Sequence, residues 1–146
     1  MCIRDSFKLN ANEIIEPNAL SVALVAVFVY MTLGVLLTIS PDQAAYVGFT
    51  NKGLIFTSFT VFTIISRLVA GRVSDKIGRI PVIKISVILI VLSLIFMGLA
   101  NTTIQLMLAI GALGFSTGIA SPAVFAWIID ISPEDRRGRY LSLIHI

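Results

Sequence analysis

The chain has 146 residues, 57% of them hydrophobic and only 13% charged, which leaves a soluble domain more core than surface to cover it. Membrane insertion resolves that imbalance. The formal net charge is +3 and the bases are clustered, with no Lys/Arg run interleaved with exposed aromatics, so nucleic acid is set aside as a partner and a membrane face is favoured.

The terminal hexapeptides Met1–Ser6 and Leu141–Ile146 resemble translated sequencing-adapter scars and are left out of fold reasoning. The native protein is then expected to run on past both ends. The only cysteine, Cys2, and the only histidine, His145, fall in these segments, so disulfide, metal and histidine-base chemistry have nothing to build on. No cofactor is called for.

Residues 7–140 read as one partial membrane domain. Phe7 to Asn18 is polar and mixed, with Lys8, Glu13, Glu16 and Pro17, and reads as a membrane-surface segment or short amphipathic helix. It lacks a signal peptide's basic start and small-residue cleavage site. Ala19 to Ser40 carries no charge and suits a helix crossing a hydrocarbon core of ~30 Å. Pro41-Asp42 is predicted to end it, opening a loop to Gly53. Leu54 to Val73 is the second span, with Arg67 and Arg72 near its end; so close to the interface, Arg67 is expected to snorkel. Gly71 to Ile80 is a charged, glycine-bearing loop. Pro81 to Ala100 is the third span, with Pro81 suited to a first helical turn. After Asn101-Thr102-Thr103, a fourth span runs from Ile104 to Ile129 and ends at Asp130.

Each backbone polar group in such runs must be satisfied within its own segment, so the fold class is all-α: a polytopic membrane protein with four transmembrane helices. The loop after the second span holds Arg72, Lys76 and Arg79, and the segment after the fourth holds Arg136, Arg137 and Arg139. The opposite loops carry only Asp42 and Lys52. By the positive-inside rule the basic loops, and both ends of the chain, are cytoplasmic.

The spacing Gly71-x-x-x-Asp75-Lys76-x-Gly78-Arg79 resembles the signature loop between the second and third helices of a six-helix half in the major facilitator superfamily of transporters. All its defining positions match except a second terminal base, where Ile80 stands. Gly71 and Gly78 allow a sharp turn and close helix approach. Asp75 is expected near the start of the third helix, where the helix dipole favours an acid. Arg79 is four residues on, within reach if that stretch is helical. In the family, the loop's acid and base pair with an acid at the cytoplasmic end of the fourth helix, a place Asp130 fills here. The resemblance therefore implies a conformational latch of Gly71, Asp75, Lys76, Gly78, Arg79 and Asp130.

A second stretch, Gly114 to Pro122 leading through Trp127 and Asp130 to Pro133 and Arg137-Gly138, looks like the family's fourth or tenth helix and its P-x-x-x-R-G exit. Gly111, Gly114, Gly118 and Ala120 give a small packing face. Pro122 is expected to free a carbonyl, with Ser121 a candidate partner. Tyr30, Thr57, Thr60, Ser121 and Trp127 are candidates to line a solute cavity. No Asp or Glu lies mid-span, so a proton-coupling carboxylate is expected outside this piece.

Ile110 stands where first-half helices of the family often carry an arginine, which favours spans seven to ten over spans one to four. The resemblance implies a fragment of a secondary active transporter in a bacterial-type inner membrane. Its partners are lipid, a small-molecule substrate and the remaining helices. It moves solute by alternating access, with proton-coupled efflux the preferred activity. It is not expected to be an enzyme, since no nucleophile–base pairing or metal spacing is present. The alternative is a non-transporting four-helix membrane scaffold or assembly subunit.

Overall fold

The computed structural model describes residues 17–131, and the terminal hexapeptides, Cys2, His145 and the Pro133–Arg137-Gly138 exit lie outside them. Four helices follow one another: α1 Pro17–Tyr46, α2 Lys52–Ile77, α3 Arg79–Gly98 and α4 Thr103–Ile131. All four are long and apolar enough to cross a membrane. Even α3, the shortest at 20 residues, spans the ~30 Å hydrocarbon core at a helical rise of ~1.5 Å per residue.

Short connections make sequence neighbours antiparallel, which leaves α2 parallel to α4. α4 is the centre and packs on all three other helices, while α1 touches α2 and α3 only slightly. The core accordingly runs along α4 through Leu106, Ile110, Leu113, Val124 and Ile128. An apolar groove of about 270 Å³, lined by Phe28, Val35, Val87 and Val91 among others, separates α1 from α3.

Two boundaries differ by more than two residues from the sequence reading. Pro41 does not end α1: the helix carries it internally and continues to Tyr46. The residues beyond Pro41 are held by packing, with Ala44 fully buried and the Gln43 side-chain amide donating to the Ala100 carbonyl at 3.0 Å. The hydroxyls of Thr38 and Ser40 bond the carbonyls of Gly34 and Leu36, the ordinary back-bonding of helical hydroxyls. The stop comes at Gly48, in the left-handed region at φ +75. The N–H groups of Gly48 and Phe49 close back on the carbonyls of Ala45 and Ala44, satisfying the final turn as a Schellman cap does.

The second correction concerns the expected loop from Gly71 to Ile80. Almost all of it is helix, and Gly78 alone separates α2 from α3. At φ +96 and ψ 158 its backbone lies where a Cβ is strained, which is why a glycine stands at the break. The Gly78 N–H closes α2 on the Ser74 carbonyl at 3.0 Å. Pro81 sits in the first turn of α3, where its missing N–H deprives no carbonyl of a partner.

Candidate functional site

The helix break at Gly78 sets the geometry of the charged end. Asp75 falls in the last turn of α2, not at the start of α3 as its spacing implied, and Arg79 is the first residue of α3. Both charges then stand at the dipole end that disfavours them, an acid at a C-terminus and a base at an N-terminus. Pairing relieves both. Arg79 Nη1 donates to Asp75 Oδ1 at 2.6 Å and to Ser74 Oγ at 3.1 Å. Arg79 Nε donates to Asp130 Oδ2 at 3.3 Å, in the last turn of α4. One guanidinium thus ties the ends of three helices together. Ser74, buried in the last turn of α2, had no distinguishing signal in the sequence.

The other residues of the motif sit apart from that cluster. Lys76 is exposed and makes no ion pair with a described residue. Gly71 neither turns the chain nor admits a close neighbour: it is an exposed helical residue with nothing within 4 Å of a Cβ built on it. Arg67 is exposed, and because α2 continues to Ile77 it lies ~15 Å along the axis from the helix end, deeper than a boundary at Val73 implied.

The close approach instead belongs to the glycines of α4. A Cβ on Gly111 would meet the Phe62 ring at 2.9 Å, and one on Gly118 the Thr63 carbonyl at 2.7 Å and the Ser66 hydroxyl closer still. Hydroxyls of α2 use this proximity. Thr63 Oγ1 donates to the Gly114 carbonyl at 3.0 Å and Ser58 Oγ to the Met107 carbonyl at 3.3 Å. These interhelical bonds add polar attachment to the packing that small residues permit.

The candidate cavity residues separate into two groups. Tyr30 on α1 and Ser121 on α4 meet, hydroxyl to hydroxyl, at 3.3 Å. The Tyr30 ring also packs edge-on against Phe125, with centroids 6.3 Å apart. Ser121 is therefore paired across the helices. Trp127 lies six residues beyond Ser121, ~120° around the helix, and is half-buried against the core. Thr57 and Thr60 sit on an uncovered face of α2, with their hydroxyls turned back to the carbonyls of Gly53 and Phe56. The structure does not bring these three to the Tyr30–Ser121 pair.

Comparison with known proteins places this architecture. The chain is 27% identical over 121 residues to the quinolone resistance protein NorA of Staphylococcus aureus, an alignment covering 80% of this chain and 31% of that protein. It is 30% identical over 112 residues to the probable metabolite transport protein YDR387C of Saccharomyces cerevisiae, covering 75% of this chain and 20% of that protein. The chain therefore spans a third or less of the length of these relatives. The sequence pattern of the Major Facilitator Superfamily matches residues 22–146, which takes in nearly the whole of α1, the Gly78 break and α4 with its terminal acid. Four apolar helices, the signature spacing and that match together make this integral membrane chain a member of the Major Facilitator Superfamily of transporters.

Proposed function

We propose that the chain is part of a secondary active transporter that moves a small solute by alternating access. In this reading Asp75, Arg79 and Asp130 form a latch at the cytoplasmic end of the helices, with Gly78 as its hinge. The observation that carries it is the shared guanidinium: Arg79 reaches carboxylates on α2 and α4 from the first residue of α3. Two access states need a set of contacts that differs between them, and a cluster spanning three helix ends across a one-residue break is such a set.

The named relatives, one a quinolone resistance protein and the other a probable metabolite transporter, favour a small organic cargo, and the first favours efflux. We assign the Tyr30–Ser121 pair, with Phe125 beside it, to the solute-facing wall, and Thr57, Thr60 and Trp127 to other faces. Among the described residues the carboxylates are Asp42, Asp75 and Asp130, all near helix ends. A proton-coupling group near the midplane is therefore assigned to the remaining length of the parent protein. Spans seven to ten of a bacterial-type inner-membrane transporter, with the basic end inward, complete the reading.

The test is turnover of the full-length parent in proteoliposomes. Asp75→Asn lowers the maximal rate with little change in apparent solute affinity, because the latch lies far from the midplane. Arg79→Ala acts similarly, the two together cost less than the sum, and Lys76→Ala is milder. Additive losses, or a large affinity change at intact rate, contradict the latch.

A further inference from the structure

Eight serine and threonine side chains are buried among the described residues, and seven of them donate to a carbonyl of their own helix three or four residues back. Ser86 on Val82 and Ser93 on Leu89 are examples. This back-bonding is the ordinary way for a helical hydroxyl to be satisfied where water is absent. Ser74 is the eighth and departs from the pattern. It is 4% exposed, and its hydroxyl oxygen accepts from Arg79 Nη1 at 3.1 Å.

The bond matters because of how guanidinium donors are arranged. Nη1 carries two N–H groups in the plane of a rigid fork, and Nε carries one. One Nη1 donor goes to Asp75 at 2.6 Å and one to Ser74. With Nη1 held at two points, the direction of the Nε–H toward Asp130 follows. Without the Ser74 oxygen, Nη1 retains only the Asp75 carboxylate, whose side chain is 66% exposed. The fork is then free to pivot about that one contact, and the longest bond of the set, Nε to Asp130 at 3.3 Å, is the first to be lost. Ser74 also accepts the Gly78 N–H on its main-chain carbonyl, so the same residue fixes the hinge and the arginine beyond it.

We propose that Ser74 is the positioning residue of the latch: its buried hydroxyl orients the Arg79 guanidinium so that Nε–H faces Asp130. The proposal rests on the latch reading above and adds the group that aims it. A buried acceptor is required at this point, so threonine can replace serine and alanine cannot.

The experiment follows the Arg79 Nε–H signal by NMR in the full-length parent labelled with nitrogen-15 arginine. Arg79→Lys identifies the signal by its disappearance. Ser74→Ala speeds hydrogen exchange at Nε by about tenfold, the size expected for losing one hydrogen bond to a charged group, and Ser74→Thr restores protection. In an Asp130→Ala background, which leaves Nε–H without its acceptor, Ser74→Ala adds nothing, because the bond it aims is already gone. Unchanged exchange in Ser74→Ala, failure of threonine to restore it, or an equal acceleration in the Asp130→Ala background each overturns the proposal. Turnover of the same variants separates the two claims. Fast exchange in Ser74→Ala alongside unimpaired turnover in Arg79→Ala upholds the aiming role and removes the latch. Slow turnover in Arg79→Ala with normal exchange in Ser74→Ala removes Ser74 alone.

Discussion

Gly114→Ala tests the close backbone approach of α2 and α4. A Cβ at Gly114 would lie 3.1 Å from the Cα and the carbonyl carbon of Phe59, and nearer still to the carbonyl oxygen. These are backbone atoms, so no side-chain rotation relieves the contact, and α2 and α4 must part by roughly 1 Å to restore ordinary carbon separations. Overpacking of this kind costs about 1–3 kcal/mol. Parting the helices also stretches the Thr63 bond to the Gly114 carbonyl, now 3.0 Å, a further ~0.5–1.5 kcal/mol if it is lost. Against this stands a gain of ~0.8–1.0 kcal/mol from replacing a mid-helix glycine by alanine. The net is a destabilisation of about 0.5–3.7 kcal/mol. Gly34 and Gly71 are helical glycines with nothing within 4 Å of an added Cβ. Alanine there keeps the propensity gain alone and stabilises by up to ~1 kcal/mol. Trp127 is the single tryptophan and is half-buried on α4, so its fluorescence reports the loss of packing as SDS is titrated into detergent micelles of the purified chain. Gly114→Ala should unfold at less SDS than wild type, and Gly34→Ala and Gly71→Ala at the same or more. Equal midpoints for all three variants would refute the close α2–α4 approach.

Gly78→Ala places a Cβ at φ +96, a strain of ~1–3 kcal/mol; turnover of the parent should fall, and wild-type turnover would mean that the one-residue hinge is not needed. Cysteines at Gly48 and Asn101, both exposed, should react with impermeant maleimide from outside intact cells, and a cysteine at exposed Lys76 only from inside. External labelling at Lys76 overturns the orientation. The 146-residue chain expressed alone should insert, transport nothing and be readily degraded, since uncovered faces remain on all four helices; solute flux from the purified chain in liposomes contradicts this.

The number and type of helices were legible because uncharged runs long enough to span a bilayer leave the backbone no alternative. The signature spacing was legible because Gly78, Asp75 and Arg79 are separated by fixed offsets in one short segment. What escaped was set by tertiary contacts. Pro41 is a local stop signal, yet burial of Ala44 and the Gln43 bond to Ala100 carry α1 past it to a glycine cap. Gly71 and Gly78 look equivalent in sequence, but a positive φ distinguishes the helix break at Gly78 from an uncovered helical position at Gly71. The glycines of α4 announced a close contact without naming its partner, because Ser58, Thr63 and Ser66 are unremarkable hydroxyls until α2 lies parallel to α4. Ser74 escaped for the same reason: only the helix break brings Arg79 back onto it.

The most direct test of alternating access controlled by the latch needs no knowledge of the solute. A single cysteine replaces Phe125, which is 37% exposed beside the Tyr30–Ser121 pair, in a cysteine-free full-length parent. Its labelling rate by impermeant maleimide is measured separately from each side of the membrane. Reaction from both sides is expected, with Asp75→Asn shifting the ratio of the two rates. Labelling from one side only, or a ratio that Asp75→Asn leaves unchanged, would contradict it.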